Sequence, residues 1–177
     1  MLNYKDFINN GAWHEIYHLD DNWILKIPKK PDNSKFYDEN TLKDFHKHIK
    51  FMKEYPEIFP KVKKLDKYRA AVEKMDTDKA KKEIKYIHNH IYGNMNGKIS
   101  YIKIIEYLLY QDRYDDIELL GEEGDYGTGV DPICEKWYDF IMKLKDTFDP
   151  SCYPYEMDLH HDNFGLDKDG NIKLIDF

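Results

Sequence analysis

The sequence predicts an α+β fold: a β-rich first third holding one helix, a mostly helical middle, and a short β-hairpin near the end. Three observations predict it. Brief polar–apolar alternations, bounded by Asp, Asn and Pro, recur before residue 75. Apolar residues at helical spacing dominate from about 77 to 144. Two short apolar runs then flank Asp167-Lys-Asp-Gly-Asn171, a hairpin signal. At 177 residues the chain is long enough for one domain or two small lobes, each with a buried core.

Glu15–Leu19 alternates as a strand, Asp20-Asp-Asn22 turns the chain, and Trp23–Ile27 is a second strand stopped by Pro28. Ser34 is in place to cap a helix running to about Tyr55, with Leu42, Phe45, Ile49 and Met52 on one stripe. Ile58–Leu65 and Arg69–Met75 read as a hairpin joined by Asp66-Lys-Tyr68. Asp76 or Thr77 can cap a helix to about Tyr92, and Gly93-Asn-Met-Asn-Gly97 breaks it. Ile99–Tyr110 is the next helical segment. Asp131-Pro132 opens another: a capping carboxylate, then a proline whose missing N–H costs nothing in the first turn. Ile133, Trp137, Ile141 and Leu144 line that helix. Phe164–Leu166 and Ile172–Ile175 are the strands of the last hairpin.

Composition excludes several classes. With 34 acidic and 27 basic residues the formal charge is −7, so no nucleic-acid partner is expected. The basic stretch Lys61–Arg69 reads as a solvated strand edge. No apolar run approaches the roughly 20 residues of a membrane span, and the first residues have no apolar signal region. No membrane partner is expected. Two cysteines, Cys134 and Cys152, make no disulfide framework. They read as free thiols of a cytoplasmic protein. The Gly121–Gly129 loop carries Glu122, Glu123 and Asp125, which would repel an anion, so it is a connector.

The chemistry concentrates at the end. Asp158 precedes Asn163 by five residues in a loop, and the hairpin that follows returns the chain to Asp176. One carboxylate to orient a hydroxyl and two oxygen ligands for a hard cation are what phosphoryl transfer requires. Asn is a suitable second ligand, because it offers a neutral oxygen near the phosphates. His160-His-Asp162 also contains a His-x-Asp pair of the kind found in iron facial triads. No third ligand is evident, and His160 reads as a loop-ordering residue. His46/His48 and His88/His90 lie two apart in predicted helices and point about 200° from one another, a poor chelating geometry.

Asp158-Leu-His-His-Asp-Asn163 resembles the catalytic loop of the protein-kinase-like superfamily, in particular its aminoglycoside and choline phosphotransferase branch. Ile175-Asp-Phe177 resembles the start of that family's metal-binding segment, and Asn10–Tyr17 a reduced phosphate-covering loop containing Gly11. Ile24-Leu-Lys-Ile27 is similar to the strand carrying the ATP lysine, and Ala70–Met75 to the strand entering the hinge. The resemblance implies a two-lobe fold, with a β-rich lobe over 1–75 and a helical, shortened lobe over 76–177. It implies ATP and Mg²⁺ as cofactors and Asp158 as catalytic base. Asn163 and Asp176 become Mg²⁺ ligands, and Lys26 a point charge for the phosphates. Gly11 would lie over the nucleotide, with backbone groups from Glu73 to Met75 at adenine. Glu39 is the helix acid expected to hold Lys26, by its position near the helix start; Asp38 lies more squarely on the apolar stripe.

This sequence departs from the family pattern in three places. Glu156 stands where the family has histidine, and the phosphate loop has one glycine. The sequence stops one residue after Asp176. A minimal kinase, a truncated one and a fragment all fit that end. The expectation is an ATP-dependent transfer of phosphate to a hydroxyl of a protein or small molecule. The alternative is an inactive pseudokinase that binds a partner. A metal-dependent oxygenase is a third reading.

Overall fold

The computed structural model describes residues 5–10, 14–30, 36–92, 100–110, 131–148 and 159–175. The chain falls into two compact units, Met1–Lys74 and Met75–Phe177.

Among the described residues, the first unit is a five-stranded antiparallel sheet with one helix. Its strands are β1 (Lys5–Asn10), β2 (His14–His18), β3 (Trp23–Pro28), β4 (Val62–Lys64) and β5 (Ala70–Glu73), in the order β1-β2-β3-β5-β4. The predicted turn between β2 and β3 forms: the Asp20 carboxylate accepts the N–H groups of Asn22 (2.8 Å) and Trp23 (2.9 Å). β1 lacks a clean alternation and pairs with β2 through two register shifts, which is why its sequence carries no strand signature. Lys26 lies opposite Ile16 on one side and Ala70 on the other. The helix, α1, spans Glu39–Glu54 and buries Leu42, Phe45, Ile49 and Met52, the predicted stripe. Its cap is Asp38. Ser34, the expected cap, lies outside the described residues. Asp38 accepts the N–H groups of Asn40 (2.7 Å) and Thr41 (3.1 Å). The Thr41 hydroxyl, then these amides, hold its carboxyl below the usual range against a small opposing effect of burial. The β4–β5 hairpin keeps the expected turn but has shorter strands. Asp66 closes the turn by accepting from Tyr68 N–H (2.8 Å) and from Arg69 Nε (2.6 Å).

The second unit packs helices on a small hairpin. Its elements are α2 (Thr77–Tyr92), a 3-10 turn at Tyr101–Lys103 leading into α3 (Ile104–Tyr110), and α4 (Pro132–Thr147). A second 3-10 turn, His161–Asn163, leads into β6 (Phe164–Leu166) and β7 (Ile172–Leu174). Of the two expected caps for α2, Asp76 serves: its carboxylate accepts Lys79 N–H at 2.9 Å. Asp131 caps α4 by accepting from Ile133 (2.8 Å) and Cys134 (3.1 Å), with Pro132 in the first turn as predicted. The core joins Ile84 and Ile87 of α2, Ile104, Ile105 and Leu108 around α3, and Trp137 and Ile141 of α4. The rings of Trp137 and Phe164 meet edge to face at 5.7 Å, tying α4 to the hairpin. Cys134 is a free, buried thiol, pushed up to about 11 by burial and by the Asp131 charge. Cys152 and the Gly121–Gly129 loop lie outside the described residues. Among the described residues, no helix is long and apolar enough to cross a membrane.

Candidate functional site

The hairpin does what its sequence predicts. β6 and β7 pair with Phe164 opposite Leu174, and Gly170 takes the turn with φ 85°, a conformation glycine tolerates. Asp167 accepts from the Asp169 and Asn171 amides, both at 2.9 Å, and so holds the turn. The pairing continues past the strands: Ile175 N–H donates to the Asn163 carbonyl at 2.7 Å. Asn163 is thus hydrogen-bonded to the residue that precedes Asp176. On the other side of the turn, Leu159, the residue after Asp158, is buried and anchors the chain. Asp158 and Asp176 themselves lie outside the described residues, as does Gly11.

The turn between these anchors is ordered by its own side chains. His160 Nδ1 accepts Asp162 N–H at 3.4 Å, and the Asn163 N–H donates to the His160 carbonyl at 2.8 Å. His160 is a loop-ordering residue, as expected. Two partners come from elsewhere in the unit. Lys81 of α2 pairs with Asp162 at 2.5 Å, and Tyr101 sets its ring edge against His161 at 5.4 Å. The Lys81 hydrogen bond is the largest effect holding the Asp162 carboxyl below its usual range, outweighing burial. Burial, with His160 and Lys81 nearby, pushes His161 down, against the opposing pull of Asp162. At neutral pH Asp162 is therefore ionised and His161 is neutral. Neither Lys81 nor Tyr101 was visible in the sequence, because both act across a distance in the chain that no local motif spans.

Met75, expected at adenine, is half-buried, and a Cβ added at Gly165 would collide with its Cβ. Glycine is required there for this close approach. Asp76 extends the contact: its N–H donates to the Leu166 carbonyl (2.8 Å), and Leu166 N–H donates back (3.1 Å). Met75 is thus fixed on the hairpin strand that begins next to Asn163.

In the first unit, Lys26 is only 4% exposed, on the middle strand of the sheet. Glu39 is exposed as the first residue of α1, and Asp38 is engaged in capping. Glu73 N–H donates to the Lys61 carbonyl (2.8 Å), and its carboxylate sits 3.5 Å from the Lys61 ammonium. Lys74 N–H donates to the Asn22 carbonyl (2.8 Å). The amide donors of Glu73 and Lys74 are therefore engaged within the sheet unit.

No family model and no curated protein matches the chain. Among solved structures it is similar to the choline kinase LicA from Streptococcus pneumoniae, at 14% sequence identity and a TM-score of 0.37. The alignment covers 99% of this chain and 63% of that one, so the chain spans less than two thirds of its length.

Proposed function

We propose that this chain is an ATP- and Mg²⁺-dependent phosphotransferase of the protein-kinase-like type, moving the γ-phosphate to a hydroxyl of a small molecule or protein. The observation that supports this most is the 2.7 Å bond from Ile175 N–H to the Asn163 carbonyl. Two chain positions twelve apart are held side by side, one an amide and the other adjoining an acid. That donor set, one neutral oxygen and one carboxylate, suits a hard divalent cation. Mg²⁺ held by Asn163 and Asp176 would neutralise charge on the phosphates. The rest falls to the chain's own groups. Lys26 orients the phosphates by its positive charge. Asp158 accepts the proton of the acceptor hydroxyl. Positioning and electrostatics do most of the work in this chemistry.

A second reading is a pseudokinase that binds a partner without turnover. Glu156, which adds a carboxylate two residues before Asp158, favours it. Calorimetric titration of ATP, with and without Mg²⁺, separates the two. The phosphotransferase reading expects Mg²⁺-dependent binding that Asp176→Ala abolishes. It also expects Asp158→Asn to lose phosphate transfer while keeping ATP binding. Unchanged turnover in Asp158→Asn would sink the base assignment. Absence of ATP binding in both conditions would sink the function.

A further inference from the structure

The turn that orders the candidate site brings together three metal-binding atoms that the proposed phosphotransfer does not use. His160, His161 and Asp162 each offer one ligand atom, all within 4.8 Å of one another. His160 Nδ1 lies 3.1 Å from His161 Nδ1 and 3.2 Å from Asp162 Oδ2. His161 Nδ1 lies 3.7 Å from the same oxygen. Ligands about 2.0–2.1 Å from a tetrahedral zinc stand roughly 3.3 Å apart, which these spacings bracket. The same contacts serve as hydrogen bonds, which a bound metal would displace. Two facing imidazole nitrogens share at most one proton, so at least one lone pair points into the cluster.

Asp162 is divided between two tasks. Oδ1 pairs with the Lys81 ammonium, and Oδ2 faces the histidines. Lys81 draws on the charge of the carboxylate and so competes with a metal for it. It also cancels the local negative charge, which removes the attraction that would draw a hard cation. Two nitrogen donors and one oxygen suit a borderline metal, whereas Mg²⁺ takes oxygens. The three side chains are 12–48% exposed, so one face is open to water. A three-ligand site with an open position is a common zinc arrangement. The Asp162 N–H contact to His160 Nδ1 is long, 3.4 Å, and gives way easily to a metal.

We propose that His160, His161 and Asp162 form a binding site for a borderline divalent transition metal such as Zn²⁺, separate from the Mg²⁺ ligands. Because Asn163 closes the same turn, occupancy would stiffen the segment that presents it. The site needs no nucleotide, so its failure and that of the phosphotransferase reading are distinguishable.

The test is calorimetric titration of Zn²⁺ into the full chain, without ATP and with millimolar Mg²⁺ present. Co²⁺ absorption in the visible reports the ligand geometry. The expected result is one saturable equivalent. Loss of an outer partner alone weakens metal binding about 10–100-fold, so His160→Ala and His161→Ala should each weaken it at least about tenfold. The pair His46→Ala/His48→Ala should leave it unchanged. Lys81→Gln frees the carboxylate and should tighten binding several-fold, a gain that a misfolded variant cannot imitate. Absence of saturable Zn²⁺ binding overturns the proposal. So does binding that survives both His160→Ala and His161→Ala, or that weakens in a folded Lys81→Gln.

Discussion

Glu83 is a buried carboxylate, 7% exposed, in the middle of α2. It accepts the Trp137 indole N–H at 3.0 Å and pairs with Lys136 at 2.6 Å. Replacing it by alanine removes both partners at once. The Trp137 ring is fully buried, so its N–H loses its acceptor out of reach of water, at a cost of about 1–3 kcal/mol. Lys136 is 30% exposed and can turn to solvent, which keeps the loss below the 3–5 kcal/mol typical of a fully buried broken pair. Together these give about 3 kcal/mol for Glu83→Ala. Glu83→Gln keeps an oxygen for the indole and loses only the charge, for about 1 kcal/mol. Amide hydrogen exchange in α2 and α4 reads this unit directly. Glu83→Ala should speed exchange of the slowest amides about a hundredfold, and Glu83→Gln about tenfold or less, since about 1.4 kcal/mol corresponds to a factor of ten. Equal effects from the two variants would refute the indole hydrogen bond as the dominant contribution. An alanine effect under about 0.5 kcal/mol would refute the whole account.

Gly165→Ala should destabilise the chain by about 2 kcal/mol or more, because its Cβ meets the Met75 Cβ. In thermal melts Met75→Gly should rescue it and Met75→Ala should not, since the clash is with Cβ. Burial opposes ionisation of Asp131, but bonds from the Cys134 and Ile133 amides and the Tyr86 hydroxyl outweigh it and hold its carboxyl below the usual range. With the folded value depressed, its stabilisation is complete above about pH 4, the unfolded value, and is lost as pH falls through the folded one. Asp131→Ala should cost about 1–2 kcal/mol at pH 7 and flatten the acid limb of a stability–pH curve; an unchanged limb would count against it. Lys26→Met should lower phosphate transfer by at least about a hundredfold, the scale of losing one preorganised charge, with the fold intact by circular dichroism. Wild-type turnover would remove Lys26 from the site.

Elements written by local rules were legible. The α1 stripe, the Asp131-Pro132 start of α4 and the turns at Asp20 and Asp167 each follow from a few neighbouring residues. The sequence points to Ser34 as the cap of α1, whereas the helix takes Asp38, whose carboxylate reaches the Asn40 and Thr41 amides. β1 was not legible because its irregular pairing with β2 destroys the alternation that marks a strand. Ahead of α3 the described chain forms a 3-10 turn at Tyr101–Lys103, capped by Ser100, where the periodicity reads as continuous helix.

For the site, the hairpin alone carried the argument that Asn163 lies beside the residue leading to Asp176, since β-pairing over a short turn leaves little freedom. The sequence by itself determined most of the elements, the caps at Asp76 and Asp131, and that one adjacency. The tertiary structure decided which distant groups share them: Lys81 on Asp162, Tyr101 against His161, Glu83 under Trp137, Met75 against Gly165. Helix periodicity says which face of α2 is buried, but what it is buried against depends on how all the elements close-pack together. A charge such as Lys81 on the rim of that face has no local signature, and only the packed unit gives it a partner.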